Sequence, residues 1–64
     1  MMNPILLTER QAAEFLTVRV KTLQAWRVRG RGPKFIKLGG SVRYRREDLE
    51  QFLDEHTRVH TQGK

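Results

Sequence analysis

The segment from Leu16 to Gly30 constrains the fold most: it reads as a tight turn followed by a short basic helix that stops at a glycine. Leu23 and Trp26 fall three apart and Gly30 completes the stripe at i+7, so one face points inward. The opposite face carries Lys21, Gln24, Ala25 and Val28, with Thr22 and Arg29 on its flank. A helix meant only for solvent usually mixes both charge signs. This face is small, hydrogen-bonding and cationic, without a carboxylate, and suits a negative partner.

The charge distribution extends that reading. The net charge is +6, and the seven acids are Glu9, Glu14, Glu47, Asp48, Glu50, Asp54 and Glu55. None lies between Phe15 and Arg46, whereas ten of the thirteen lysines and arginines fall from Arg19 to Arg46. Charge spread for solubility would not segregate signs this way, so a polyanion is the expected partner. Arg27, Arg29, Lys34, Arg45 and Arg46 are candidates for phosphate contacts. An anionic membrane would want an amphipathic helix with a broad apolar face, which the sequence lacks, and the run from Pro4 to Leu7 is too short to span one.

Sixty-four residues make one domain with a small core, burying only about 60% of the surface that the unfolded chain exposes. There is no cysteine, so no disulfide staples it. With no cysteine and no long apolar N-terminal run, a soluble cytoplasmic protein is expected.

Taken in order, residues 1–7 read as an arm that ends by packing Leu6 or Leu7 on the core. Thr8, Glu9, Arg10 and Gln11 fit a capping box, with Thr8 and Gln11 closing the helix start reciprocally. The first helix runs to about Leu16 and buries Ala12, Phe15 and Leu16, with Ala13 alongside; Glu9 sits where the helix dipole favours it. Thr17, Val18 and Arg19 form the turn, with Val18 inside. The second helix spans about Val20 to Arg29, and Gly30 supplies a left-handed cap. Together these make a helix-turn-helix, whose second helix can enter a major groove.

Arg31, Gly32 and Pro33 then turn the chain into a β-hairpin. A two-residue Gly39–Gly40 loop would set Lys37 against Val42 and Ile36 against Arg43, mixing polar with apolar. A three-residue loop of Gly39, Gly40 and Ser41 sets Leu38 against Val42 and Ile36 against Tyr44, and sorts the residues cleanly. That register faces Lys37 with Arg43, a like-charge pair that anticipates an anion between them. It also puts Phe35 and Tyr44 on opposite faces, which disfavours a stacking platform for RNA. A third helix starts near Arg46 and carries Leu49, Phe52, Leu53 and His56 on one face. From about Thr57 the pattern dissolves, giving an expected domain over 8–57 and a polar tail over 58–64.

No reaction chemistry stands out. His56 and His60 have i,i+4 spacing, but no metalloprotease glutamate lies between them and no cysteine is available, so no metal site is expected. No glycine-rich loop opens a helix, and no serine or cysteine nucleophile sits beside a base. Neither an enzyme nor a cofactor is expected.

The order helix, turn, basic helix, hairpin, helix resembles the small winged helix-turn-helix proteins of the excisionase and AlpA type, relatives of the MerR-like DNA-binding domain. The resemblance is carried by Leu7 to Leu16, by Val18 and Thr22 to Trp26, and by Gly30, Pro33 and Phe35 to Gly40. It continues through Val42 to Leu49 and on to Phe52 and Leu53, covering roughly residues 6–55. It departs at Thr17, where relatives usually have glycine, and at Arg19, where they have serine; Arg19 cannot cap as serine does, so the second helix is expected to start late or fray. The resemblance implies that this helix reads the major groove of duplex DNA through Arg19, Val20, Lys21, Thr22, Gln24 and Ala25. Lys37, Ser41 and Arg43 would form the wing set, at the minor groove or its flanking phosphates. Some such proteins are excisionases, which direct an integrase toward excision by bending an attachment site; others are transcriptional regulators. So little beyond the domain leaves no room for an effector pocket, which favours the excisionase. Acids on the third helix against cations on the second suggest head-to-tail self-association on DNA. The remaining alternative is a protein-interaction module that docks a partner through its acidic helix.

Overall fold

A computed structural model describes residues 5–59. The order is β1 (Leu6–Thr8), α1 (Glu9–Leu16), α2 (Val20–Val28), β2 (Ile36–Leu38), β3 (Ser41–Arg45) and α3 (Arg46–Glu55). This is a winged helix-turn-helix, but its sheet has three strands in the order β1-β3-β2. The end of the expected arm is therefore a strand. Leu7 lies opposite Tyr44 on β3, and both are buried.

Thr8 ends β1 and starts α1. Its hydroxyl accepts from the Gln11 backbone N–H at 3.1 Å, and its own N–H donates to Gln11 Oε1 at 2.9 Å, the expected capping box. Ala12 and Ala13 are buried, and their small side chains let neighbouring elements approach. Helix α1 closes with Thr17 at φ 61°; Thr17 N–H donates to Glu14 and Val18 N–H to Ala13, which satisfies two carbonyls of the last turn. The same pair of bonds closes α2: Gly30 N–H donates to Arg27 and Arg31 N–H to Trp26, with Gly30 at φ 73°.

Helix α2 begins at Val20 rather than late, although Arg19 makes no side-chain cap bond. Its inward residues are Leu23, 1% exposed, and Trp26, which packs on Phe52 of α3 with ring centroids 5.5 Å apart. Gly30 is exposed and does not extend that stripe. Gly32 lies against Trp26 instead: it has φ 86°, and a Cβ there would meet the Trp26 Cβ at 3.0 Å.

The hairpin register differs from the expected one. Ile36 pairs with Arg43, Lys37 with Val42 and Leu38 with Ser41, around a two-residue Gly39–Gly40 loop. Two physical causes decide this. A three-residue loop would need a left-handed residue at its last position, Ser41, whereas a two-residue II′ connection needs a positive φ at its first, and Gly39 has φ 61°. Sorting by polarity also matters little at a wing tip where Lys37, Leu38 and Ser41 are all exposed. Residues opposite one another share a face, so Lys37 and Arg43 lie on opposite sides and frame no anion. Phe35 and Tyr44 share a side, with ring centroids 6.3 Å apart, yet buried Tyr44 offers no face for stacking.

The core is Leu7, Ala12, Ala13, Leu23, Tyr44 and Leu49, with Phe15, Leu16, Val18, Val20, Trp26 and Val42 packed around it. Every element but β2 supplies a buried member. Leu53, 43% exposed, falls outside the core although it shares a face with Leu49, and His56 at the end of that face is also exposed. In the last turn of α3, Phe52 is the residue that packs inward, against Trp26.

Candidate nucleic-acid interface

Packing of Leu23 and Trp26 turns the other side of α2 outward. Lys21 and Gln24 are exposed there, Thr22 and Ala25 are half-buried, and Arg19 is exposed at the helix start. Val28 is 83% exposed one turn on. Val20 packs partly against the core, so its side chain is turned in part away from the outer face.

Gln24 and Arg27 are not free. The Glu9 carboxylate in the first turn of α1 accepts from Gln24 Nε2 at 3.1 Å through one oxygen and from Arg27 Nη1 through the other. Arg27 Nη1 also lies 3.5 Å from the Tyr44 hydroxyl, and its guanidinium sits 5.7 Å from the Phe35 ring centre. Burial of the Glu9 carboxyl pushes its pKa up, but the hydrogen bonds from Arg27 and Gln24 and the Arg27 charge outweigh this and hold it below its ordinary value. Arg27 is shifted upward, chiefly by its bond to Glu9.

The candidate phosphate contacts divide accordingly. Arg27 pairs with Glu9, Arg45 approaches Asp48 at 3.9 Å, and Arg46 bonds Glu50 at 3.3 Å while lying 5.2 Å from the centre of the Phe15 ring. Arg29 and Lys34 are exposed, with no carboxylate within 4 Å among the described residues. On the wing, Ser41 and Lys37 are exposed, and Arg43 is half-buried with Nη1 donating to the Val42 carbonyl at 2.9 Å. Among the described residues, seven cations of the acid-free interval thus have no carboxylate within 4 Å: Arg19, Lys21, Arg29, Arg31, Lys34, Lys37 and Arg43.

Sequence patterns gave no sign of Glu9 as part of this surface. It lies 15 residues from Gln24 and 18 from Arg27, so no helical spacing links them. Its place in the first turn of α1 is fully explained by the dipole, which hid its second use. His60 lies outside the described residues. Among the described residues, no three His, Cys, Asp or Glu side chains gather as a metal ion would require.

Residues 6–57 match the family model described as a helix-turn-helix domain. No curated protein matches the chain.

Proposed function

The chain belongs to the helix-turn-helix domain family, a DNA-binding fold, and from that premise we propose that it is an excisionase. In this reading it binds an attachment site, bends it, and so directs an integrase toward excision. The observation that carries the reading is the segregation of charge on one small domain. Exposed Arg19, Lys21, Arg29 and Lys37 lie on α2 and the wing side, while Glu47, Glu50, Asp54 and Glu55 are exposed on α3. Unlike patches on one molecule meet head-to-tail, and repeated head-to-tail contact grows a row. A row of copies on directly repeated sites bends DNA, which is the architectural work an excisionase does.

Helix α2 lies in the major groove in this reading, with Lys21 and Gln24 at base edges and the wing cations on flanking phosphates. The unpartnered cations neutralise about 4–6 phosphates, so log K against log salt should have a slope of about −4 to −5. The deciding experiment is a titration on duplexes carrying one, two and three repeats, with Asp54→Lys and Glu55→Lys in parallel. Cooperative filling that the charge reversal abolishes supports the row. Independent filling, or cooperativity indifferent to the reversal, removes it. Footprinting on DNA flanking the coding region then separates an attachment site from a promoter; protection of a promoter alone would make the protein a transcriptional regulator.

A further inference from the structure

We propose that Glu9 is a positioning residue that fixes the direction of the Gln24 carboxamide and thereby makes α2 prefer adenine to guanine at the base pair Gln24 meets. The inference rests on the reading of α2 as the groove helix and adds a determinant of its specificity.

The geometry is a relay from the core to the outer face. Tyr44, 1% exposed, is fixed by packing, and its hydroxyl lies 3.5 Å from Arg27 Nη1. Arg27 in turn holds one oxygen of Glu9, and the other oxygen receives Gln24 Nε2 at 3.1 Å. Each carboxylate oxygen therefore has its own donor. The Arg27 charge also cancels that of Glu9, so a carboxylate can sit beside the groove helix without repelling phosphate.

Hydrogen-bond chemistry then settles which way Gln24 faces. An ionised carboxylate only accepts, so the amide must present its NH₂ to Glu9 and cannot flip. One of its two N–H donors is spent, leaving one N–H and the carbonyl oxygen. In the major groove adenine offers one acceptor, N7, and one donor, the N6 amine, which that remaining pair satisfies. Guanine offers two acceptors, N7 and O6, and wants two donors. With Glu9 in place Gln24 has only one to give. Without it the amide turns either way and the distinction fades.

A purely structural Glu9 would change stability and lower affinity for every sequence alike. The test therefore reads base preference. Sites are selected from a random duplex pool by the wild type, Gln24→Ala, Glu9→Gln and Glu9→Ala, each checked for helical content. Affinities are then measured on duplexes differing by A·T or G·C at the position whose preference Gln24→Ala erases. The wild type should prefer adenine by roughly tenfold or more, the scale of one bidentate contact. Both Glu9 variants should reduce that to within about twofold while leaving the preferences at other positions unchanged; a glutamine at position 9 can donate as well as accept, so it no longer holds the amide one way. Unchanged adenine preference in the Glu9 variants, or a wild-type preference for another base, overturns the proposal. Preferences unaltered by Gln24→Ala would instead sink the groove-helix reading itself. A measurement on the unaltered protein keeps the test open should the variants misfold: the Gln24 side-chain NH₂ resonance should move with the titration of Glu9, and a resonance indifferent to acid overturns the contact.

Discussion

Helix α2 and the wing share one acid-free stretch of sequence, yet they are held in different ways. Helix α2 sets Leu23 into the core at 1% exposure and packs Trp26 at a tilt against Phe52. Strand β2 contributes no buried residue, and Leu38 at the wing tip is 51% exposed. Helix α2 is thus aimed by packing, whereas the wing is shaped by its turn and its ladder to β3. Regions with few buried contacts open at lower free energy, so the wing is the part that can yield to the DNA it meets.

The largest effect that could break this contrast comes from truncating one leucine in each region. Leu23→Ala should cost about 2–5 kcal/mol. A domain this small has only about 3–5 kcal/mol to lose, so most of the protein would unfold. Leu38→Ala should stay within about 0.5 kcal/mol. Urea denaturation measures both; comparable losses would mean that the wing shares the core after all.

The same contrast explains what the sequence made legible. The capping box, the bounds of α1 and α2, the burial of Leu23 and Leu49 and the cap at Gly30 all follow from contacts within one or two helical turns. Strand β1 was not legible because only Leu7 in it points inward, and one apolar residue marks no alternation. The hairpin register misled because polarity sorting decides register only where a face is buried, and the wing tip buries neither. Exposure of Leu53 was hidden because helical spacing places a residue on a face without saying whether anything covers that face. The Glu9 bonds join residues on different helices through tertiary packing, which spacing does not encode.

The turn itself offers the next test. Gly39 has φ 61° and Gly40 does not share the left-handed conformation. Gly39→Ala should therefore destabilise by about 1–2 kcal/mol. Gly40→Ala should be close to neutral, since alanine tolerates a negative φ and restricts the unfolded chain. Thermal unfolding of the pair reads the difference directly. Equal losses at both positions would reject the two-residue loop and with it the placement of Lys37 and Arg43 on opposite faces.

At the helix-turn-helix corner the expected change has the opposite sign. Thr17 adopts φ 61°, a conformation a β-branched residue rarely takes, and the structure gives its side chain no hydrogen bond in return. Thr17→Gly should stabilise by about 0.5–1 kcal/mol, net of the extra freedom glycine gains when unfolded. That corresponds to a rise of roughly 2–8 °C in Tm. Affinity for DNA at a temperature where both proteins are folded should not change, because the packed corner sets the angle of α2 with or without the strain. A weaker binder would show that Thr17 itself aims the helix.

The smallest effect separates the two regions by charge chemistry. The Glu9 pKa is lowered in the folded state, so its bonds to Arg27 and Gln24 add stability that is fully present above the ordinary carboxyl range and is lost as pH falls through the folded value. The groups are partly exposed, which limits the contribution to about 0.2–1 kcal/mol. Comparing wild type with Glu9→Gln by urea unfolding at a series of pH values isolates it: the difference should be largest near neutrality and shrink on acidification. Among the described residues the wing carries no carboxylate from Ile36 to Arg45, and none lies within 4 Å of Lys37. The corresponding difference for Lys37→Gln should therefore be flat across the same acid range. A flat curve for Glu9→Gln would mean that the corner is held by packing alone. A sloping curve for Lys37→Gln would mean that the wing is tied electrostatically to an acid on another element, and the division between an anchored helix and a yielding wing would fail.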